Sequence, residues 1–322
     1  MNKPCLRIVG DALNQRAGLL ARWLDPRWHV QDDHSQDFAA VNAVIGMPTG
    51  AEWNQKFPNL RFLQLPGAGT DGLNPNHISS DTQVCNVYEH EGSIAEYVFA
   101  TLLRFKNTWL DASREALKCH QWPYFDRIGG GARPSLAGST IGFVGFGHIA
   151  QRCADIANAL NMHVRAFTRS SENASKPFRK AECEFFNSLA EMARSVDYLV
   201  IACPLTKQTE GLITHSIISC MKNSAILVNV SRAQIVDEKA LFDALSTKSI
   251  AGAILDVWYR YPSTKGEMIT GSKFPFHELE NVLATPHLSA NTDDMVARRW
   301  RFMAENLNRY LHAQELQNKV TL

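Results

Sequence analysis

The run G-F-G-H-I-A, with Gly145, Gly147 and Ala150, could hold a diphosphate. It follows an apolar segment at 140–145 (T-I-G-F-V-G) that reads as a strand, and it opens a stretch at 148–160 that reads as a helix. In that setting each small residue has a task. Gly145 permits the tight turn, Gly147 lets backbone approach a pyrophosphate, and Ala150 allows helix and strand to pack closely. The helix N-terminus then stabilises the phosphate charge. A plain tight turn is the alternative reading. The end of the next strand, V-R-A-F-T-R-S-S, bears on which dinucleotide would bind. An NAD site places Asp or Glu there to accept from the ribose hydroxyls. Here Thr168 stands at that position, followed by Arg169, Ser170 and Ser171. A guanidinium beside hydroxyls suits a 2′-phosphate, so NADP is expected ahead of NAD. Otherwise Arg169 is only an exposed strand-end residue.

These residues need a scaffold, and the sequence supplies one twice. Apolar runs at 6–10, 43–47 and 61–65 read as strands, 18–24 reads as part of a helix, and the third run leads into P-G-A-G-T-D at 66–71. The segment 93–104 (S-I-A-E-Y-V-F-A-T-L-L-R) is apolar on most sides and reads as a buried helix that continues past Trp109. Residues 122–137 are rich in Gly and Pro and read as an irregular linker. Further strands follow at 163–168, 198–203, 225–230, 250–257 and 282–284, and a charged helix runs over 293–311. Strands that alternate with helices and are apolar throughout suit parallel sheets covered on both faces.

Composition narrows the class. A chain of 322 residues suggests about two domains. With 45% hydrophobic and 20% charged residues it reads as an ordinary soluble globular enzyme. A net charge of +1 argues against a dedicated nucleic-acid binder. No uncharged apolar stretch approaches the ~18 residues of a membrane span. Arg7 and Asp11 interrupt the N-terminal run, so no secretory leader is expected. Seven scattered cysteines without C-x-x-C point to a reducing, cytoplasmic compartment, with neither a disulfide framework nor a metal site.

The chain resembles the D-isomer-specific 2-hydroxyacid dehydrogenase family over nearly its whole length. The shared landmarks come in order. They are the loop at 66–71, S-I-A-E at 93–96, G-F-G-H-I-A, C-P-L-T-K-Q-T-E-G-L-I at 203–213, V-N-V-S-R-A-Q-I-V-D at 228–237, G-A-I-L-D-V-W at 252–258 and T-P-H-L-S-A-N-T at 285–292. The resemblance implies two doubly wound parallel-sheet α/β domains, Rossmann- and flavodoxin-like, with a cleft between them. Residues 1–97 plus 290–322 would form a discontinuous substrate domain, and 98–289 the inserted dinucleotide domain. It implies that Arg232 holds the carboxylate and carbonyl oxygen of a small 2-oxoacid. His287 would exchange a proton with that oxygen. Gly67, Ala68 and Gly69 would offer backbone N–H groups to the carboxylate. Asp256 would orient the nicotinamide carboxamide. His148, Ile149, Cys203, Pro204, Thr209, Val230, Ser231 and Ser289 would line the cofactor site. A homodimer is the implied assembly, with no nucleic-acid or membrane partner.

One position departs from the family pattern. Most relatives carry a glutamate five residues after the aspartate of L-D-V, where it keeps the histidine protonated. Here D-V-W-Y-R-Y-P places Tyr261 there. Tyr261 is also a candidate substrate-binding residue; either it hydrogen-bonds His287 or a carboxylate comes from elsewhere, such as Glu89 or Glu91 in Y-E-H-E-G. His90 in that run either touches substrate or is an ordinary loop residue. Without an acidic partner, activity is expected to fall as pH rises through a modest histidine pKa. Three readings stay open. One is an NADPH-preferring reductase of a glyoxylate- or hydroxypyruvate-like acid. Another is a formate- or phosphite-like oxidation that needs no base. The last is a dinucleotide-sensing binding protein resembling the C-terminal binding corepressors.

Overall fold

The computed structural model describes residues 3–32, 34–48, 53–107, 109–122, 134–168, 182–264 and 266–321. The chain separates into two compact units, Met1–His90 with Asn291–Leu322, and Glu91–Ala290.

The first unit is built on five parallel strands, β1 (Cys5–Ile8), β2 (His29–Val30), β3 (Ala43–Ile45), β4 (Phe62–Gln64) and β5 (Gln83–Cys85), in the order β2-β1-β3-β4-β5. Every residue of β1, β3 and β4 is buried, which explains their continuous apolar character. One face packs on the helix Asp293–Leu311 through Trp300, Met303 and Leu307. Thr292 caps that helix by accepting from the Met295 N–H, and Asp293 and Asp294 complement its dipole. The segment expected as a helix over 18–24 is a 3-10 helix, Ala17–Arg22. It is too short, with Gly18 inside it, for a stable α-helical nucleus.

The second unit carries β6 (Thr140–Val144), β7 (His163–Phe167), β8 (Glu184–Phe186), β9 (Tyr198–Ile201), β10 (Ile226–Asn229), β11 (Gly252–Leu255) and β12 (Val282–Ala284). All pairs are parallel, in the order β12-β11-β10-β9-β6-β7-β8. This is the doubly wound arrangement, and its direction of winding reverses between β6 and β9. Ligands of such sheets bind outside the carboxyl ends of the strands at that reversal. The helix Glu91–Lys106 covers one face through Ile94, Val98 and Leu102, beside the helix His148–Ala159. Residues 91–97, assigned from sequence to the substrate domain, open this unbroken helix and group with the second unit. The helix does not run past Trp109. It ends at Lys106, where the Asn107 side chain takes the Leu103 carbonyl at 2.6 Å, and a separate helix, Trp109–Lys118, follows. Part of the linker expected over 122–137, residues 123–133, lies outside the described residues.

Candidate active site

The turn after β6 carries the phosphate signature. Gly145 has φ +88°, a left-handed conformation that glycine alone adopts at no steric cost. A Cβ at Gly145 would lie 2.8 Å from the Cys203 Cα, so the chain leaving β6 touches the chain leaving β9. Gly147 is different. It is the N-cap of the helix His148–Ala159, with ordinary extended backbone (φ −85°, ψ −163°) and no side-chain cap. A Cβ there would meet nothing within 4 Å. No internal contact requires glycine at 147, whereas an anion brought against the uncapped amides does. The turn therefore fits the diphosphate of a dinucleotide. Ala150 is fully buried and lets the helix lie close to the sheet. Ile149 packs on the same core, and the His148 ring stands 4.0 Å from Glu91.

The other expected residues gather at neighbouring strand ends of this unit. Thr168 follows β7 directly. Arg169 and Ser170 lie outside the described residues. Beyond β9, Cys203 is buried, and Thr209 donates to the Pro204 carbonyl at 2.6 Å. Beyond β10, Val230 is buried and the Ser231 hydroxyl donates to the Cys203 carbonyl. Asn229, almost fully buried, donates to the Arg232 carbonyl at 3.0 Å and accepts from the Ser231 N–H at 3.1 Å. That side chain shapes the turn that presents Arg232, whose guanidinium also donates to the Ser231 carbonyl at 2.9 Å.

His287 sits just past β12 with φ +59°, a rare conformation for a residue with a side chain. Such strain persists only where the surroundings hold it. Asp256, fully buried beyond β11, does so. Its carboxylate accepts from the Thr285 hydroxyl at 2.6 Å and from the N–H groups of Leu288 and Ser289 at 2.7 and 3.0 Å. Thr285 spends its single proton on Asp256, so the Tyr97 hydroxyl, 2.6 Å away, donates to Thr285. Burial, ahead of the opposing Thr285 bond, pushes the Tyr97 phenol up to about 12. Sequence reasoning missed Tyr97, Thr285 and Asn229. A polar Asn inside the apolar run of β10 was the available signal.

The ring of His287 faces Tyr261. Its Nδ1 lies 3.0 Å from the Tyr261 hydroxyl, which accepts the Trp258 backbone N–H at 3.1 Å. The Trp258 indole donates to the Thr285 carbonyl at 2.9 Å. His287 is exposed by surface area, but atoms packed around the ring still withdraw hydration from the charged form. This desolvation lowers the His287 pKa below the ordinary value; Asp256 opposes the shift and Arg232 adds to it. The two glutamates considered as partners are engaged elsewhere, Glu89 with Arg298 at 3.4 Å and Glu91 near His148.

In the first unit, Gly67, Ala68 and Gly69 follow β4, and Tyr88 and His90 follow the adjacent β5. The Val87 N–H donates to the Gly67 carbonyl at 3.3 Å, and the Asn86 side chain to the Ala68 carbonyl at 3.0 Å. His90 is buried and its ring stacks near that of Tyr88. Arg298 and Arg299 donate to the carbonyls of Glu89 and Tyr88 at 3.1 and 2.9 Å, tying this loop to the helix Asp293–Leu311. Trp300 is core. Among the described residues, no group of three or more His, Cys, Asp or Glu is placed to hold a metal, and no helix is long and apolar enough to cross a membrane.

A doubly wound sheet with a glycine turn at its reversal, and an arginine, a buried aspartate and a histidine on successive strand ends, defines a dinucleotide-dependent oxidoreductase domain. Comparison with known proteins agrees. Residues 100–289 match the family described as D-isomer specific 2-hydroxyacid dehydrogenase, NAD binding domain. A glyoxylate reductase from Aeropyrum pernix is 32% identical over 327 aligned positions, covering 95% of this chain and 92% of that protein. A glyoxylate reductase from Pyrococcus furiosus is 36% identical over 172 residues, 53% of this chain. That match spans about half the length of the relative (48%). The crystal structure of a D-isomer specific 2-hydroxyacid dehydrogenase family protein from Aeromonas salmonicida superposes with a TM-score of 0.79, at 25% identity and 99% coverage of both chains. This chain belongs to the D-isomer specific 2-hydroxyacid dehydrogenase family.

Proposed function

We propose that the chain is an NADPH-preferring reductase of a small 2-oxoacid of the glyoxylate or hydroxypyruvate type. The observation that carries this reading is Arg232 near enough to His287 to act on its charge, both at strand ends of the sheet that carries the glycine turn, with Asp256 holding the strained histidine loop. The glycine turn would hold the dinucleotide diphosphate, and Thr168, Arg169 and Ser170 its ribose phosphate. Cys203, Pro204, Thr209, Val230 and Ser231 would wall the cleft around it. A nicotinamide dinucleotide bound there supplies the hydride. The protein's own part is binding, orientation and the proton. Arg232 offers a planar fork that can grip a carboxylate and the adjacent carbonyl oxygen together. That grip polarises the carbonyl and strengthens as charge develops on its oxygen. His287 gives that oxygen its proton. Asp256 acts through the loop, fixing where the imidazole stands. The names of the relatives from Aeropyrum pernix and Pyrococcus furiosus support the substrate class, and the non-acidic end of β7 supports the cofactor preference.

The test is the loss of reduced-nicotinamide absorbance when the purified chain is mixed with NADPH or NADH and glyoxylate, hydroxypyruvate or phenylpyruvate. Turnover favouring NADPH is expected. Saturable NADPH binding with no oxoacid turnover would overturn the reading. One observation favours an oxidative alternative, namely Tyr261 standing where a carboxylate would keep His287 charged. Steady NADPH formation from formate or phosphite would select it.

A further inference from the structure

We propose that Tyr261 is a positioning residue that donates its phenolic proton to His287 Nδ1, fixing the imidazole with its own proton on Nε2 and supplying the replacement once that proton is given to substrate. The proposal rests on the reductase reading for its chemistry but not for its geometry. The Tyr261 oxygen already accepts the Trp258 backbone N–H at 3.1 Å, and His287 Nδ1 lies 3.0 Å from it. A phenol is a strong donor and a weak acceptor, whereas the bare nitrogen of a neutral imidazole is a good acceptor. An arrangement that satisfies all three groups runs from Trp258 N–H to Tyr261 oxygen and from Tyr261 O–H to Nδ1. A neutral imidazole that accepts at Nδ1 carries its proton at Nε2.

The groups facing this imidazole decide which form it takes. Among the described residues of this unit they include Arg232 beyond β10, Asp256 beyond β11 and Tyr261 farther along the same loop. Asp256 is committed to Thr285, Leu288 and Ser289, and Arg232 is a like charge to an imidazolium. Tyr259, on that loop, turns away and donates to the Val236 carbonyl. Neutral imidazole is therefore the resting form, in keeping with the lowered pKa.

The proton balance follows. A bound reduced dinucleotide would supply the hydride to the carbonyl carbon; on the protein's side the Nε2–H bond breaks and an O–H bond forms on substrate. Nδ1 takes the Tyr261 proton as the phenol O–H bond breaks. The histidine ends neutral with its proton on Nδ1, and Tyr261 ends as a phenolate held by the Trp258 N–H and the new Nδ1–H. Tyr261 is 47% exposed, so water can return its proton. An imidazolium is never required, so turnover persists above the histidine pKa, in place of the fall with pH expected from the sequence alone.

The test joins a spectrum to a pH profile. Nitrogen-15 NMR of histidine-labelled protein at pH 7.5, with His287 assigned by its loss in His287→Gln, reads the tautomer without any turnover. The Nε2–H form is expected, and Tyr261→Phe should relax it to a mixture. In single-turnover reduction of glyoxylate, the wild type should stay within about threefold from pH 6 to 9. Tyr261→Phe should fall about tenfold per pH unit above its imidazolium pKa. Tyr261→Glu should recover activity at neutral pH by raising that pKa. An Nδ1–H tautomer in the wild type, or matching pH profiles for wild type and Tyr261→Phe, would overturn the proposal. Absence of any oxoacid turnover would sink the reductase reading, and the NMR result would still decide the tautomer.

Discussion

Gly147→Ala separates a turn residue from a ligand cradle. The native backbone at 147 is extended and open to alanine, and the added methyl meets no atom within 4 Å. Alanine is a poorer N-cap than glycine, so the fold should lose no more than about 1 kcal/mol. In a unit of this size that moves the unfolding midpoint by about 2–4 °C. Binding should respond differently. A methyl in the path of a phosphate approaching the uncapped first-turn amides would keep its oxygen at van der Waals distance. Loss of one charge-assisted hydrogen bond costs about 1.5–3 kcal/mol, or about 10- to 150-fold in Kd. Calorimetric titration with NADPH and a thermal melt on the same sample measure both. A variant that binds NADPH within twofold of wild type, or that melts far lower while binding normally, would refute the assignment of this turn to a diphosphate.

Gly145→Ala should show the opposite balance. Left-handed backbone costs about 1–2 kcal/mol in a residue with a Cβ, and a contact 2.8 Å from Cys203 adds about 1–3 kcal/mol; a melt that drops by less than 2 °C would contradict this. Arg232→Lys should lower kcat/KM for the oxoacid by about 10- to 150-fold, because an ammonium cannot make the two-point grip; steady-state kinetics within twofold of wild type would count against it. Asp197 is a case for pH. Burial alone would raise its pKa, but bonds from Lys222 at 2.7 Å and the Thr140 N–H at 2.8 Å lower it overall. A depressed carboxylate pKa stabilises the fold fully above the unfolded value of about 4 and loses that contribution as pH falls through the folded value. Asp197→Asn should be about 1–2 kcal/mol less stable at pH 7, with the gap closing below about pH 4 in urea unfolding.

Long, wholly buried strands were legible in the sequence because parallel sheets leave no polar face to interrupt the pattern. β6, β9, β10 and β11 all fall within runs read as strands. β2, β5 and β8, short strands with exposed positions, were not. The same contrast holds at the site. Gly145 and Gly147 announce themselves by spacing. The pair Tyr97 and Thr285 does not, because 188 residues separate two hydroxyls that meet at 2.6 Å. Tyr261 was visible as a departure at a known position, but its contacts with His287 Nδ1 and the Trp258 N–H, a backbone group, are displayed by no sequence pattern.

The first unit draws on both ends of the chain, and that has a consequence during synthesis. Leu6, Ile8, Ala43, Ile45 and Phe62 form a core with Trp300, Met303, Ala304 and Leu307. The sheet half of that core leaves the ribosome first, and its helical cover comes only after Glu91–Ala290 has been made. At about 5–20 residues per second the wait lasts roughly 10–40 s. The second unit, one continuous segment, can fold in that interval. The first must hold an uncovered apolar sheet face in solution until its last helix arrives. The nascent chain is therefore most exposed to aggregation and to chaperones in its N-terminal portion, and a truncation before Asp293 should leave the second unit folded and the first one not.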